Sequence, residues 1–331
     1  MRLSKRFASL SIYLVLLALT GCGFAYPAAE GRFDRTLNVR GPVDLEVSTG
    51  SGKIDVRTGG SSVVQIFGII RANDDWRSSA QDKVKYLTAN PPIVQSGDSI
   101  RIGKVENEAY RNNVSISYEI LVPRETRLRS QTGSGSMNIE AIRGPADGST
   151  GSGSITMLNI GSDVTAETGS GQIELDQISG NVEASTGSGY IRAERISGSI
   201  RAETGSGQIS VEQTMAELGG DRSVVASTGS GSIEVSGVNG ALRAETGSGG
   251  ITVSGIPSGD WRLQASSGGV TVHIDGSAAF DLYARTSSGR ITVDHPVTVT
   301  GSVNKRELRG KVREGGRLVE VRTGSGSITI R

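Results

Sequence analysis

The chain has 331 residues, including 47 Gly, 8 Pro, one Cys and only 4% aromatics. Collagen is excluded because Gly does not recur every third residue and Pro is scarce; length, one Cys and two His exclude a disulfide-stapled miniprotein and a zinc or iron–sulfur module. The balance of 35 basic against 34 acidic residues argues against a nucleic-acid partner, and without a regular pattern so Gly-rich a chain would read as disordered.

Residues 1–21 read as a lipoprotein signal peptide. Arg2, Lys5 and Arg6 form a positive start, and an apolar stretch follows from Leu10 to Leu19. That stretch is shorter than the about 20 residues of a membrane span and fits the apolar region of a signal. It ends in Leu19-Thr20-Gly21-Cys22, which resembles the lipobox of bacterial lipoproteins, where the peptide is cut before the Cys. Small residues fit a peptidase cleft, and a thiol is the nucleophile that accepts diacylglycerol. Cys22 is therefore the expected lipidation site. Three acyl chains would hold the product firmly on a membrane. Gly23 stands where an Asp often retains such proteins at the inner membrane, so an outer-membrane or periplasmic-side position fits a Gram-negative cell. Without the leader's three cations the balance is 32 basic against 34 acidic, a net charge of −2. Residues 22–35 read as a tether.

Residues 36–130 read as N-terminal strands and a cap. VVQIFGIIRA (63–72), DSIRIG (98–103) and VSISYEILVP (114–123) have strand character. DDWRSSAQDKVKYL (74–87) has helical spacing at Ala80, Val84 and Leu87, with Ser78 as the expected N-cap and Asn90-Pro91-Pro92 as the stop. Exposed solenoid ends invite edge pairing and need such a cover.

From residue 131 to 331 one repeat dominates. TGSG or a close variant starts at Thr49, Thr132, Thr150, Thr168, Thr186, Thr204, Thr228, Thr246 and Thr323, with degenerate copies at Ala265 and Thr286. From Thr132 to Thr204 the spacing is 18 residues, and MAELGGD (215–221) enlarges the next step to 24. A fixed period of this size means stacked supersecondary units. Inside each unit the alternation has period two: Ile173 and Leu175 face one way, Glu174 and Asp176 the other. The reading is an all-β, single-chain parallel β-solenoid of about 18-residue, two-strand coils, with a small N-terminal capping region carrying a short helix. About ten coils at the spacing of paired strands make a rod of roughly 50 Å. Glycine permits the corner conformation, and Ser or Thr there bonds local backbone or its copy one coil away. The charged segment KRELRGKVREGGR (305–317) is expected to shield the far edge.

The run VSISYEILVPRETRLRSQTGSGSMNIEAIRG (114–144), the repeated TGSG–strand units and the ending LRGKVREGGRLVEVRTGSGSITI (308–330) resemble a bacterial adhesin-like family of unknown function, the DUF4097 type. The resemblance covers nearly all of the chain beyond the leader. It implies a β-solenoid at the cell envelope and brings no catalytic residues with it.

The chemistry search returns mostly negatives. GSGK at 50–53 has Val47 where a phosphate loop needs its first Gly, and a strand follows in place of a helix, so no nucleotide is expected. TGSG forms neither GxGxxG nor GxSxG. His273 alternates outward and His295 precedes Pro296 in a turn, so no metal, cofactor or catalytic residue is assigned. Glu167, Ser185, Glu203, Ser227 and Glu245 are expected to stack outward in that order, keeping like charges two coils apart, about 10 Å. Arg192, Arg201, Arg222 and Arg243 are expected to mix with them as an outward ladder. The function expected is non-enzymatic: a lipid-anchored envelope protein presenting a rigid rod for adhesion or scaffolding. Its partners are the membrane, through lipidated Cys22, and an envelope protein or glycan of unknown identity. Two alternatives are an accessory or sensor subunit docking an envelope stress-signalling protein through residues 61–130, and a polysaccharide-active β-helix enzyme with clustered carboxylates.

Overall fold

The computed structural model describes residues 27–103, 105–214, 222–299 and 304–331. The leader, Cys22 and the MAELGGD insertion lie outside the described residues. Almost every element is a strand, and the described residues contain a single α-helix.

Two long sheets face each other across a thin core. One sheet, here the Ile sheet, carries the strands that follow TGSG: Met137–Glu140, Ile155–Ile160, Ile173–Ile178, Ile191–Ile196 and their later copies. The other, the Ala sheet, carries the strands leading into TGSG, such as Val164–Thr168 and Val182–Ser188. Neighbouring coils pair in parallel with like on like: Val164↔Val182, Ala166↔Ala184 and Thr168↔Thr186 on one side, Ile155↔Ile173 and Met157↔Leu175 on the other. All of these side chains are buried. Small Ala and Thr on one wall against Ile, Leu and Met on the other keep the coil flat, which accounts for the scarcity of aromatics.

The TGSG corner has a definite job. From Thr132 onward each of these Thr side chains is buried, and its hydroxyl donates to the carbonyl of the last TGSG Gly one coil below, whereas Thr49 Oγ1 donates to Ile116 O at 2.7 Å. Thr150 Oγ1 bonds Gly135 O at 3.0 Å, Thr168 bonds Gly153 at 2.9 Å, and Thr186 bonds Gly171 at 3.0 Å. In its own coil Thr150 Oγ1 accepts the N–H of Gly153 at 3.1 Å. The glycine requirement is one of close approach more than of backbone angle. A Cβ on Gly153 would stand 1.8 Å from Gly135 O, and no side chain fits there.

A second corner was not visible in the pattern. Ala141, Asn159, Gln177 and Arg195 adopt φ of 62°, 56°, 57° and 53°, in the left-handed region. One such residue flips the parity of its strand, so the residue after it turns inward. Ile142, Ile160, Ile178 and Ile196 are buried for this reason and supply a third core position per coil.

The stack departs from chain order at both ends. At the N-terminal end, the strands Val43–Thr49 and Ile54–Thr58 form a full coil that pairs with Thr126–Thr132 and Met137–Glu140. The solenoid thus begins at Val43, not at 131. A later coil, Ser99–Ile102 with Val114–Val122, lies outside it. At the other end the last coil, Arg317–Ser325 with Ile328–Ile330, inserts between the coil of Trp261–Ile274 and that of Phe280–Val293. The Thr ladder reports the same order independently: Thr323 Oγ1 bonds Gly268 O at 2.8 Å, and Thr286 Oγ1 bonds Gly326 O at 2.9 Å. Twelve coils are present among the described residues, a length of about 53 Å at the strand spacing.

The cap end is covered on both sheets, and the far end on the Ala sheet. Val63–Ala72 pairs antiparallel with Val114–Val122, and Ala29–Asn38 pairs antiparallel with Val63–Ala72. The expected tether of 22–35 is therefore wrong from Ala29 onward, where the chain is already a strand. Its alternation buries Phe33 under a charged outer row, and the charges masked it. The helix Ala80–Ala89 packs on these strands, its Val84 lying against Gly31, where a Cβ would meet it at 2.3 Å. Its N-cap is Ser79, one residue after the expected Ser78, with Oγ accepting from Asp82 N at 3.1 Å. At the far end Glu307–Val312 pairs antiparallel with Phe280–Ser288, so the charged segment does cover that edge of the Ala sheet.

Candidate functional site

The outward Glu and Ser residues stack in the expected order: Glu167↔Ser185, Ser185↔Glu203, Glu203↔Ser227 and Ser227↔Glu245. Arg201 pairs with Glu203 at 2.6 Å and Arg243 with Glu245 at 2.7 Å, all on the exposed face. The four arginines do not form one ladder. Arg201 and Arg243 lie on the Ala sheet, whereas Arg192 lies on the Ile sheet, between Glu174 and Ser210, and Arg222 precedes its strand and bonds Thr214 O at 3.2 Å. Lys53 pairs with Asp55 at 2.8 Å, and the strand Ile54–Thr58 follows it. His273 is exposed on its strand, and His295 packs edge-on against Phe280. Among the described residues no three or more His, Cys, Asp or Glu side chains gather as a metal site would require. Among the same residues no helix is long and apolar enough to cross a membrane.

A concave feature lies on the outer face of the Ala sheet, where the inserted last coil meets its neighbours. Tyr283 and Glu320 are paired across adjacent strands, and Arg309 faces Tyr283 from the other side. The Arg309 guanidinium stands 4.8 Å from the centre of the Tyr283 ring and that of Arg322 stands 5.4 Å from it. Glu320 is buried and holds both Arg262 at 3.0 Å and Arg322 at 2.5 Å. One carboxylate thus serves two guanidiniums. Leu318 and Asp281 complete the walls of a depression of about 470 Å³. Asp281 Oδ1 is buried without a hydrogen-bond partner. A second depression of about 250 Å³ continues from Leu318 and Glu320 toward Asp260 and Ser223.

The two depressions together carry Arg243, Arg262, Arg309, Lys311 and Arg322 against Asp260, Asp281 and Glu320, a modest positive excess. Arg322 is held by Glu320, whereas the Arg309 guanidinium, stacked on the ring, keeps its edge as a donor. The arrangement suits a partner bearing carboxylate, phosphate or sulfate. It could not be read from the sequence, because Arg309 reaches Tyr283 by antiparallel pairing and Glu320 and Arg322 reach it only through the out-of-order insertion.

The family model described as Toastrack DUF4097 matches residues 78–331. Two solved structures align over most of the chain. One is a putative cell adhesion protein from Clostridium sporogenes ATCC 15579, at 13% identity, covering 91% of this chain and 99% of that one, with a TM-score of 0.22. The other is a putative adhesin from Bacteroides fragilis NCTC 9343, at 12% identity, covering 91% and 97%, with a TM-score of 0.24. Superposition that loose carries no argument about function. No curated protein matches the chain. The family match spans well over half of the sequence and includes all the TGSG coils from Thr132 onward, so the chain belongs to the Toastrack DUF4097 family.

Proposed function

We propose that this is a non-enzymatic, lipid-anchored protein of the cell envelope, whose rigid rod presents side chains for adhesion or scaffolding. The observation that supports it is the continuous stack of twelve parallel-paired coils among the described residues. A stack held by parallel ladders and buried Thr–Gly bonds is a stiff spacer, and it displays outward residues at fixed intervals. The outward carboxylates lie apart or are paired with Arg, a pattern that favours a binding surface over an acid–base pair. The lipobox-like Leu19-Thr20-Gly21-Cys22 is the basis for the anchor.

In this reading the groove around Tyr283 is the recognition surface, and it takes an anion-bearing envelope partner. Crosslinking in intact cells from a photoreactive residue at Leu318 tests it. The reading expects a captured envelope component that disappears in the Arg309→Ala, Arg322→Ala double variant and persists when exposed residues within 61–130 are changed to Ala. Capture lost only by the 61–130 changes would replace it with a subunit that docks through the cap.

A further inference from the structure

Among the described residues Trp76 is the most exposed large apolar side chain, at 85%. Its exposure does not come from a loose loop. Asp75 Oδ1 accepts the backbone N–H groups of Arg77 at 2.8 Å and Ser78 at 2.9 Å. Asp75 Oδ2 meets Lys83 Nζ at 2.8 Å. Lys83 is 0% exposed, and the same ammonium donates to the carbonyls of Asn73 at 2.8 Å and Asn112 at 2.9 Å. All three of its protons are used. Ser78 Oγ donates to Ala109 O at 2.7 Å, so the loop is pinned on both sides of Trp76. A buried charge is expensive to hold in a fold. Here it fixes a loop whose outward product is one indole, with the Arg77 guanidinium 4.5 Å from the ring centre.

The place of this loop adds a second observation. Ala28 N donates to Asn73 Oδ1 at 3.0 Å, so the chain joins the fold three residues from Trp76. Cys22 precedes Ala28 by only six residues, an extended reach of about 20 Å at most. Beyond the leader, Phe24, Tyr26, Phe33, Phe67, Trp76, Tyr86, Tyr110 and Tyr118 lie in the N-terminal part of the chain; Phe33 and Tyr118 are buried in the core, whereas Phe67, Trp76, Tyr86 and Tyr110 keep exposed surface. The whole of the rest contains Tyr190, Trp261, Phe280 and Tyr283. Tyr86 and Tyr110 stack at 4.3 Å on the same cap. Amphipathic rings are favoured where hydrocarbon meets water. Charge near the loop is mixed, with Asp74 beside Arg77 and Glu108 paired with Arg111 at 3.6 Å. Ring burial, not net charge, would drive the contact.

We propose that the Trp76 loop is a membrane-contact surface, which seats its indole in the interface of the bilayer that carries Cys22 and sets the cap end of the rod against that bilayer. This rests on the anchored reading above, and its test is built to fail separately. The chain from Cys22 onward, which contains every described residue, is coupled through its single thiol to a maleimide lipid in phosphatidylcholine vesicles with brominated acyl chains. Trp261 is 1% exposed and serves as the internal reference. The expected result is loss of most of the Trp76 emission, absent in Trp76→Phe and absent on vesicles without bromine. Equal emission with and without bromine, or full access of acrylamide to Trp76 on the vesicle, would overturn the proposal, as a protein partner for this loop would produce. Because coupling is chemical, quenching here with no lipidation in cells would sink the anchor and keep the surface. Lipidation in cells with no quenching here would do the reverse.

Discussion

The recurring Thr of TGSG shows how one residue can decide the stability of a stack. The Thr186 side chain is buried, and its hydroxyl donates to the carbonyl of Gly171 at the half-buried corner of the coil below. Replacing Thr186 with Val keeps the shape and leaves Gly171 O without its side-chain donor. The expected cost is about 1–3 kcal/mol, read as a lower denaturant midpoint, whereas Ser185→Val on the outer face should cost far less. Asp75 makes a second residue-scale case. The hydrogen bond from Lys83, helped by the N–H groups of Ser78 and Arg77, holds its carboxyl down at about 2, below the usual 3.8. A depressed carboxylate contributes stability that is present above its unfolded pKa and is lost as pH falls through the folded one. The Trp76 loop should therefore keep its amide-exchange protection from pH 7 down to about 4, and lose it as the pH approaches about 2. Loss of protection already near pH 5 would contradict the Asp75–Lys83 lock.

At the scale of elements, the repeating strands were legible because their side chains alternate and their corners repeat every 18 residues. The strand Val63–Ala72 and the helix stop at Asn90 were equally plain, from β-branched residues and from Pro91-Pro92. What stayed hidden has particular causes. Left-handed Gln177 and Arg195 have no glycine to mark them, so the inward turn of Ile178 and Ile196 escaped period-two counting. Ala29–Asn38 looks like a polar tether because Glu30, Arg32 and Asp34 form its outer row. Lys83 sits at a core-facing helix position where an apolar residue is the rule, and its acceptors come from loops about 10 and 29 residues away. Of the candidate groove nothing was legible beyond an excess of charge in 305–317.

The whole molecule is a rod with two unlike ends. At one end the chain joins the fold beside Asn73, under a cap rich in aromatics and pinned by Lys83. At the other, the inserted last coil builds the groove around Tyr283. The coils between them separate the two by most of the rod's length of about 53 Å. If Cys22 anchors the cap end, the groove is carried clear of the bilayer and faces the surroundings, the geometry an adhesin or scaffold needs. Antiparallel strands cover both sheets at the cap end and the Ala sheet at the far end, which disfavours endless stacking of one rod on another. The claim on which the functional account turns is the anchor, and the most direct measurement is the distribution of the Cys22→Ala variant between membrane and soluble fractions of its own cells. The account predicts wild type in the membrane fraction and the variant released from it, with its β-sheet circular dichroism unchanged; retention of a folded variant in the membrane fraction would contradict it.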